Sequence, residues 1–236
     1  MEDIKMQRAY ERLLRSTVDF PWVTAGRYSL EELVRGAQVL QLKKGDVLYD
    51  SGYDGRDIFV VRDGRIMNYF ITSHGREKVV GVFTEGSLLG ELRALDESTD
   101  FYTSQVSSEY ASLYVVPCEK FLGLLDRSRE VRMAVYENLA AKVRLMSRQI
   151  EYSVCTSAVT KIAYILLSAC KYYGQPAEGG YRISLRFTHS EIARLCGISR
   201  VSASNRLQEL RASGVIDQQD GLFVLRDIGA LLDMLE

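Results

Sequence analysis

The sequence predicts an α+β protein built in three successive zones: an antiparallel β-roll, one long helix, and a terminal domain of helices finished by a β-hairpin. Three observations carry that expectation. Short apolar runs separated by glycine turns fill residues 37–117, an amphipathic run without proline or glycine occupies 129–154, and two short helical segments hinged at Gly197 precede an Asp-Gly turn. The expected domains are a roll with an N-terminal helical segment over 1–127, the long helix over 128–155, and the terminal domain over 156–236.

Composition narrows the classes. With 236 residues, 47% hydrophobic and 26% charged, the chain can bury a proper core. No stretch reaches the roughly 18 consecutive apolar residues of a membrane span, and the start, MEDIKMQRAYERLLRS, lacks the basic-then-apolar order of a secretory signal. A cytoplasmic address without a membrane partner is expected. Cys118, Cys155, Cys170 and Cys196 are too scattered for a C-x-x-C metal or redox motif and read as core thiols in a reduced compartment. The net charge of −1 decides nothing about nucleic acid, because the local field matters and the total does not.

The roll comes first. QVLQLKKGDVLYDSG, DIFVVRDGRIMNYFITSHGREKVVGVF, TEGSLLGEL and QVSSEYASLYVVP read as strands, with Gly45, Gly52, Gly55, Gly64, Gly75, Gly86 and Gly90 near their ends and a hairpin expected at Asp63-Gly64. Such a double-stranded β-fold closes around an interior that can hold a ligand. CEKFLGLLD is a short amphipathic helix. In the long helix Val131, Val135, Leu139, Val143, Met146 and Ile150 fall on one stripe, which needs cover either from its own roll or from the same helix of a second subunit; the second cover is the reading adopted.

The last third returns to helix. SAVTKIAYILLSACKYYG is an apolar helix closed by Gly174, QPAEGG a loop, and YRISLRFT a strand. Thr188 is placed to cap the helix that starts at His189, and Glu191 completes a capping box. Ile192, Leu195 and Ile198 form that helix's buried side. Gly197 permits the left-handed turn and Ser199 caps the next helix. There Ala203, Leu207 and Leu210 face inward, leaving Arg200, Val201, Ser204 and Asn205 outward. Gly214 stops the helix, and VIDQQDGLFVL forms a hairpin around Asp220-Gly221, a wing.

Charge gives this helix pair a meaning. Across 186–211, Arg186, Arg194, Arg200, Arg206 and Arg211 stand against Glu191 and Glu209, a local charge of +3 with His189 neutral. Arginines, hydroxyls and amides at a helix N-terminus suit phosphates, and outward Arg or Asn reads base edges in the major groove. Double-stranded DNA is therefore the expected partner. The DNA-facing set is Thr188, His189, Ser190, Ser199, Arg200, Val201, Ser202, Ser204, Asn205 and Arg211.

The order of parts resembles the cyclic-AMP receptor protein and FNR family of bacterial transcription regulators. The motifs behind it are KKGDVLYDSGYDGRDIFVVRDGRI and EGSLLGEL in the roll, TKIAYILLSA, and THSEIARLCGISRVSASNRL. The resemblance covers nearly the whole chain after about residue 28. It implies a cyclic-nucleotide-binding type of roll, a homodimer joined through the long helices, a palindromic operator, a signal sensed in the roll and, for an activator, RNA polymerase as partner.

Departures from the family pattern are equally informative. In cyclic-nucleotide members the GEL glutamate holds the ribose hydroxyl, and an Arg-Ser pair ten and eleven residues on holds the phosphate. Gly90, Glu91 and Leu92 match the first element, but the pair here is Phe101-Tyr102. A phenylalanine cannot neutralise a buried phosphate, whose unpaired charge costs several kcal/mol. The expected effector is a small molecule other than cyclic AMP, held among Gly90, Glu91, Leu92, Phe101, Tyr102 and Met146; the alternative for Glu91 is that it caps a short helix. The other signals of the family are weaker matches. An iron-sulfur sensor needs a cysteine cluster near the N-terminus, and the first cysteine is Cys118; a haem sensor needs an axial ligand in the roll, where only His74 offers one; thiol oxidation would fall on Cys118 or Cys155; and a cyclic nucleotide would need an atypical phosphate site. No cofactor is expected.

In the recognition helix, Val201 and Asn205 stand where many members carry the base-reading Glu and Arg. A similar loss of the glutamate occurs in members that answer to halogenated aromatic acids. An enzyme of cupin type would need several histidines from the barrel, and only His74 and His189 exist, so no catalytic or metal site is expected. A ligand-binding adaptor without DNA affinity would have a neutral recognition helix, contrary to Arg200 and Arg206.

Overall fold

The apolar run IFVV at residues 58–61 is buried along its whole length, and the first unit is organised around that strand. The computed structural model describes residues 2–73, 75, 77–99, 101–154 and 157–235. It divides into the unit Trp22–Gln149 and a second unit that joins Met1–Pro21 to Ile150–Glu236.

The chain opens with α1 (Glu2–Arg15) of the second unit and then enters the roll. One sheet runs in the order β1 (Trp22–Val23), β6 (Glu77–Phe83), β5 (Ile66–Ile71), β8 (Thr103–Val106) and β3 (Val47–Tyr49). The other runs β2 (Gln38–Lys43), β9 (Tyr110–Val116), β4 (Ile58–Asp63) and β7 (Leu88–Leu89). Ile58 and Val60 share a core with Leu33 of α2 (Glu31–Val34), Phe121 and Leu124 of α4 (Cys118–Arg127), and Val131 and Val135 of α5 (Arg129–Val154). Strand periodicity turns Phe59 and Val61 the other way. There the Phe59 ring lies 6.1 Å from Tyr49 of the opposite sheet. A strand covered on both faces has no polar side to alternate, which is why DIFVVRD shows an unbroken apolar run.

Asp63-Gly64 is a correction to the expected hairpin. β4 and β5 lie in different sheets and do not pair, so the turn carries the chain from one sheet to the other. Gly64 has φ +87°, and a Cβ there would approach the Tyr110 carbonyl to 2.4 Å, so the crossing requires glycine. The stripe on α5 also needs correction. Val131 and Val135 are 0% and 1% exposed in the roll's own core, whereas Val143, Met146 and Ile150 are 64%, 42% and 67% exposed. Each four-residue step advances about 40° beyond a full helical turn, so positions spaced by fours wind from the roll toward solvent.

In the second unit, α6 (Ala158–Tyr173) leads into a sheet ordered β10 (Gly174–Ala177), β11 (Gly180–Arg186), β13 (Leu222–Leu225) and β12 (Ile216–Gln219). QPAEGG, expected as a loop, is strand β10 plus a two-residue turn; Pro176 is tolerated because β10 is an edge. α7 (His189–Cys196), α8 (Arg200–Ala212) and α9 (Ile228–Asp233) complete the unit. The expected wing is β12–β13, turning through Asp220 and Gly221 at φ 50° and 79°, the left-handed pair of a type I′ hairpin.

The first 21 residues were expected with the roll and instead belong to this second unit. Tyr10 stacks on Tyr181 at 3.9 Å, the Tyr181 hydroxyl donates to Gln7 at 3.0 Å, and Arg12 pairs with Asp233 at 3.2 Å. Lys171 donates to the Ser16 carbonyl at 2.6 Å and to Asp19 at 2.8 Å. Nothing in the pattern of α1 tells which unit its apolar side serves. Among the described residues no helix is long and apolar enough to cross a membrane. Leu13 of α1 is fully buried, so Leu13→Ala is expected to cost about 2–4 kcal/mol. Hydrogen exchange on the full chain checks this: amides of α6 lose protection while those of β4 keep theirs.

Candidate nucleic-acid interface and effector pocket

The helix pair is set by local chemistry. The Glu191 N–H donates to Thr188 Oγ1 at 3.1 Å and the Thr188 N–H donates to Glu191 Oε2 at 2.7 Å, a reciprocal capping box. Gly197 sits at φ 66° and the Ser199 hydroxyl accepts the Ser202 N–H at 3.1 Å, so α8 starts at once after the turn. Ile192, Leu195, Ala203, Leu207 and Leu210 are buried, with Ile198 half-buried beside them.

That packing fixes what α8 leaves outside. Arg200, Val201, Asn205 and Arg211 are exposed, Ser202 and Ser204 half-buried, and Ser190 exposed. The side chains of Asn205, Arg186, Arg200 and Arg211 make no hydrogen bond or ion pair among the described residues, so their donors are open to a partner. Arg206 differs, being paired with Glu209 at 2.6 Å. The hydroxyls of Thr188 and Ser199 are taken up as caps. One contact escaped the sequence: His189 Nδ1 and Ser204 Oγ lie 2.8 Å apart across the two helices. A separation of fifteen residues through a glycine turn gives no periodic signal.

In the roll, Gly90 at φ 85° opens α3 (Glu91–Asp96), and a Cβ there would meet the Asp57 carbonyl at 2.7 Å. Glu91 is fully buried. It does not cap α3: its Oε1 accepts from Lys142 Nζ of α5 at 2.5 Å, while Oε2 has no hydrogen-bond partner among the described residues. Lys142 also donates to the Leu88 carbonyl at 2.9 Å, and Asn138 Oδ1 accepts the Leu88 N–H at 3.1 Å. Both backbone groups of Leu88 are thus held by α5. Sequence reasoning passed over Asn138 and Lys142; two polar residues four apart inside an apolar stripe were the available signal.

An aromatic cluster lies nearby. The buried guanidinium of Arg93 sits 4.3 Å from the Tyr49 ring and 4.9 Å from Tyr53, and Tyr49 neighbours Tyr102 at 6.4 Å. Of the expected pocket residues, Gly90, Glu91 and Tyr102 are buried and Leu92 is half-buried. Phe101 packs edge-on to Tyr102 at 5.3 Å yet is 64% exposed, and Met146 stands on the outer face of α5. Phe101 is a rim and Met146 is no part of the cluster, because the α5 stripe has wound to solvent by that point.

Cys170 and Cys196 are buried and Cys118 is half-buried. Burial pushes the Cys170 thiol up to about 12, which keeps it protonated and inert at neutral pH. His74 and Cys155 lie outside the described residues. Among the described residues no group of three or more His, Cys, Asp or Glu is gathered for a metal ion.

Comparison with known proteins agrees with this geometry. Residues 39–128 match the family model of the cyclic nucleotide-binding domain, and residues 160–234 that of the Crp-like helix-turn-helix domain. The chain is 29% identical to the lactate racemization regulatory protein of Lactiplantibacillus plantarum over 75% of this chain and 81% of that protein. It is 24% identical to the global nitrogen regulator of Synechococcus elongatus over 76% and 81% of the two chains. A CooA variant from Carboxydothermus hydrogenoformans shares the fold with a TM-score of 0.75 at 18% identity, covering 91% of this chain and all 100% of that one. CprK in complex with OCPA shares it at 0.70 and 16% identity, over 92% and 100%. An effector-binding roll followed by a DNA-reading helix-turn-helix defines a DNA-binding transcription regulator. The chain belongs to the CRP/FNR family.

The Glu91–Lys142 pair has a measurable consequence. Lys142→Met leaves a carboxylate buried without its cation and is expected to lower stability by about 3–5 kcal/mol at neutral pH, with most of it recovered when Glu91→Gln is added. Urea unfolding of the three proteins checks this, and an unchanged midpoint for Lys142→Met would contradict it.

Proposed function

We propose that this regulator works in the cytoplasm as a homodimer on an inverted-repeat operator, and that a small molecule other than cyclic AMP governs it from the roll. The observation that carries the reading is the row of exposed, unpartnered donors on α8, namely Arg200, Asn205 and Arg211 beside Val201. Two such helices on a two-fold axis would enter successive major grooves about 34 Å apart.

Support for the dimer comes from α5. Tyr136 is 55% exposed and, with the half-buried Leu139 and the exposed Val143, Met146 and Ile150, forms a series stepping by three, four, three and four. That is the alternation of a coiled-coil seam, and a second copy of α5 is the partner that covers it symmetrically. Val131 and Val135 drop out of the interface, and Tyr136 enters it.

The effector reading rests on the roll. Tyr102, one of the pair replacing Arg-Ser, packs its ring into the aromatic cluster, so the wall where a phosphate would be held is aromatic. Glu91 Oε2 is a buried acceptor that no described protein group uses. A flat molecule with one hydroxyl or N–H donor fits both features, whereas cyclic AMP could offer its ribose hydroxyl to Glu91 but would set its phosphate against the Tyr102 ring.

Val143→Glu places like charges across the seam and is expected to yield monomers by light scattering, with operator affinity falling in parallel. Asparagine pairs with the N6 and N7 edge of adenine and arginine with guanine. Asn205→Arg should therefore shift one position per half-site from A·T toward G·C by about 1–3 kcal/mol, whereas Arg211→Ala should weaken all sequences alike and flatten the salt dependence. Selection on randomised DNA at fixed salt checks the first of these, and a salt titration checks the second. An unchanged motif in Asn205→Arg would contradict the assigned register of α8.

A further inference from the structure

We propose that His189 is a positioning residue for base recognition: by holding the Ser204 hydroxyl it determines what that hydroxyl offers to the DNA. The inference rests on the operator-binding reading above and adds a residue that does not itself touch a base.

A serine inside a helix ordinarily turns its hydroxyl back to the carbonyl four residues earlier, which here belongs to Arg200. Ser204 does not. Its Oγ pairs with His189 Nδ1 at 2.8 Å, and this is the one hydrogen bond that either side chain makes among the described residues. The two groups come from separate elements, the first residue of α7 and the middle of α8, so the bond exists only while the Gly197 turn holds the helices together. Ser204 is half-buried at the edge of the face that carries Val201 and Asn205, since positions three and four apart on a helix are neighbours.

A hydroxyl has one proton and two acceptor sites. When Nδ1 is bare, Ser204 donates to it and turns lone pairs outward, matching the amino groups of adenine or cytosine. When Nδ1 carries the proton, Ser204 accepts and turns its own proton outward, matching guanine O6 and N7 or thymine O4. In both tautomers the imidazole occupies one valence and directs the rest. Without it the hydroxyl rotates and serves donors and acceptors alike, so base choice at that one position relaxes while phosphate contacts stay as they are.

The experiment is a binding selection on randomised DNA at one salt concentration for the parent chain, His189→Ala, His189→Asn, Ser204→Ala and the double variant His189→Ala with Ser204→Ala. Melting temperatures accompany each. Discrimination at a single base pair per half-site should fall about fivefold in His189→Ala, the effect of one hydrogen bond, with other positions and the melting temperature unchanged because the Thr188–Glu191 box still caps α7. Asparagine, whose amide reaches the place of Nδ1, should restore it. Ser204→Ala should give the same loss, and the double variant no more than either single change. A motif unaltered in His189→Ala, equal weakening at every position, or additive losses in the double variant would each overturn the proposal. A parent chain that enriches no motif would overturn the operator-binding reading, and this inference with it.

Discussion

One buried ammonium group holds the first unit in its arrangement. Lys142 reaches from the long helix to the Glu91 carboxylate and the Leu88 carbonyl, and Asn138, one turn earlier, takes the Leu88 N–H. An ion pair at this depth is costly to assemble and costlier to break halfway, and together with Asn138 it fastens both backbone groups of Leu88 to α5. Apolar contacts of Val131 and Val135 with the roll would tolerate a slide along the helix. The polar clamp would not. Because the same carboxylate opens α3, the long helix is tied to that part of the roll.

The second unit solves a different problem, the presentation of polar side chains without satisfying them internally. Thr188, Glu191 and Ser199 spend their hydrogen bonds on the helix ends, and Leu207 and Leu210 anchor α8 by its inner side. Arg200, Asn205 and Arg211 are then displayed on the outer side of α8 with no side-chain partner among the described residues. Arg206, bonded to Glu209, shows how easily a neighbouring carboxylate would have silenced them.

Much of this was legible in the sequence where chemistry is local. Caps, the left-handed glycine, the inner and outer faces of α8 and the Asp220-Gly221 hairpin depend on residues within one or two turns of each other, and composition alone specifies them. Errors arose where distance decides. Asp63-Gly64 has the chemistry of a hairpin, but whether two strands pair is settled by the sheets they join. The α5 stripe was read mostly at steps of four, which merges a core-facing row with an exposed row that begins at Tyr136. Lys142 and Asn138 looked like polar interruptions because their partners lie 50 or more residues away. In the candidate pocket, Glu91 and Tyr102 were found by motif, while Tyr49 and Tyr53 were not, since aromatic rings gathered around a cation leave no spacing to read.

The placement of α1 gives the chain an unusual order of assembly. The Arg12–Asp233 bond spans 221 residues. This helix packs on α6, Tyr181 and α9, all of which follow the roll in the chain, whereas every strand of the roll can pair before they are made. For most of its synthesis the protein therefore carries an amphipathic segment with its apolar side uncovered, beside a folded roll. The DNA-reading unit closes only when α1 meets α6 and α9, so the roll can form before the reader is complete.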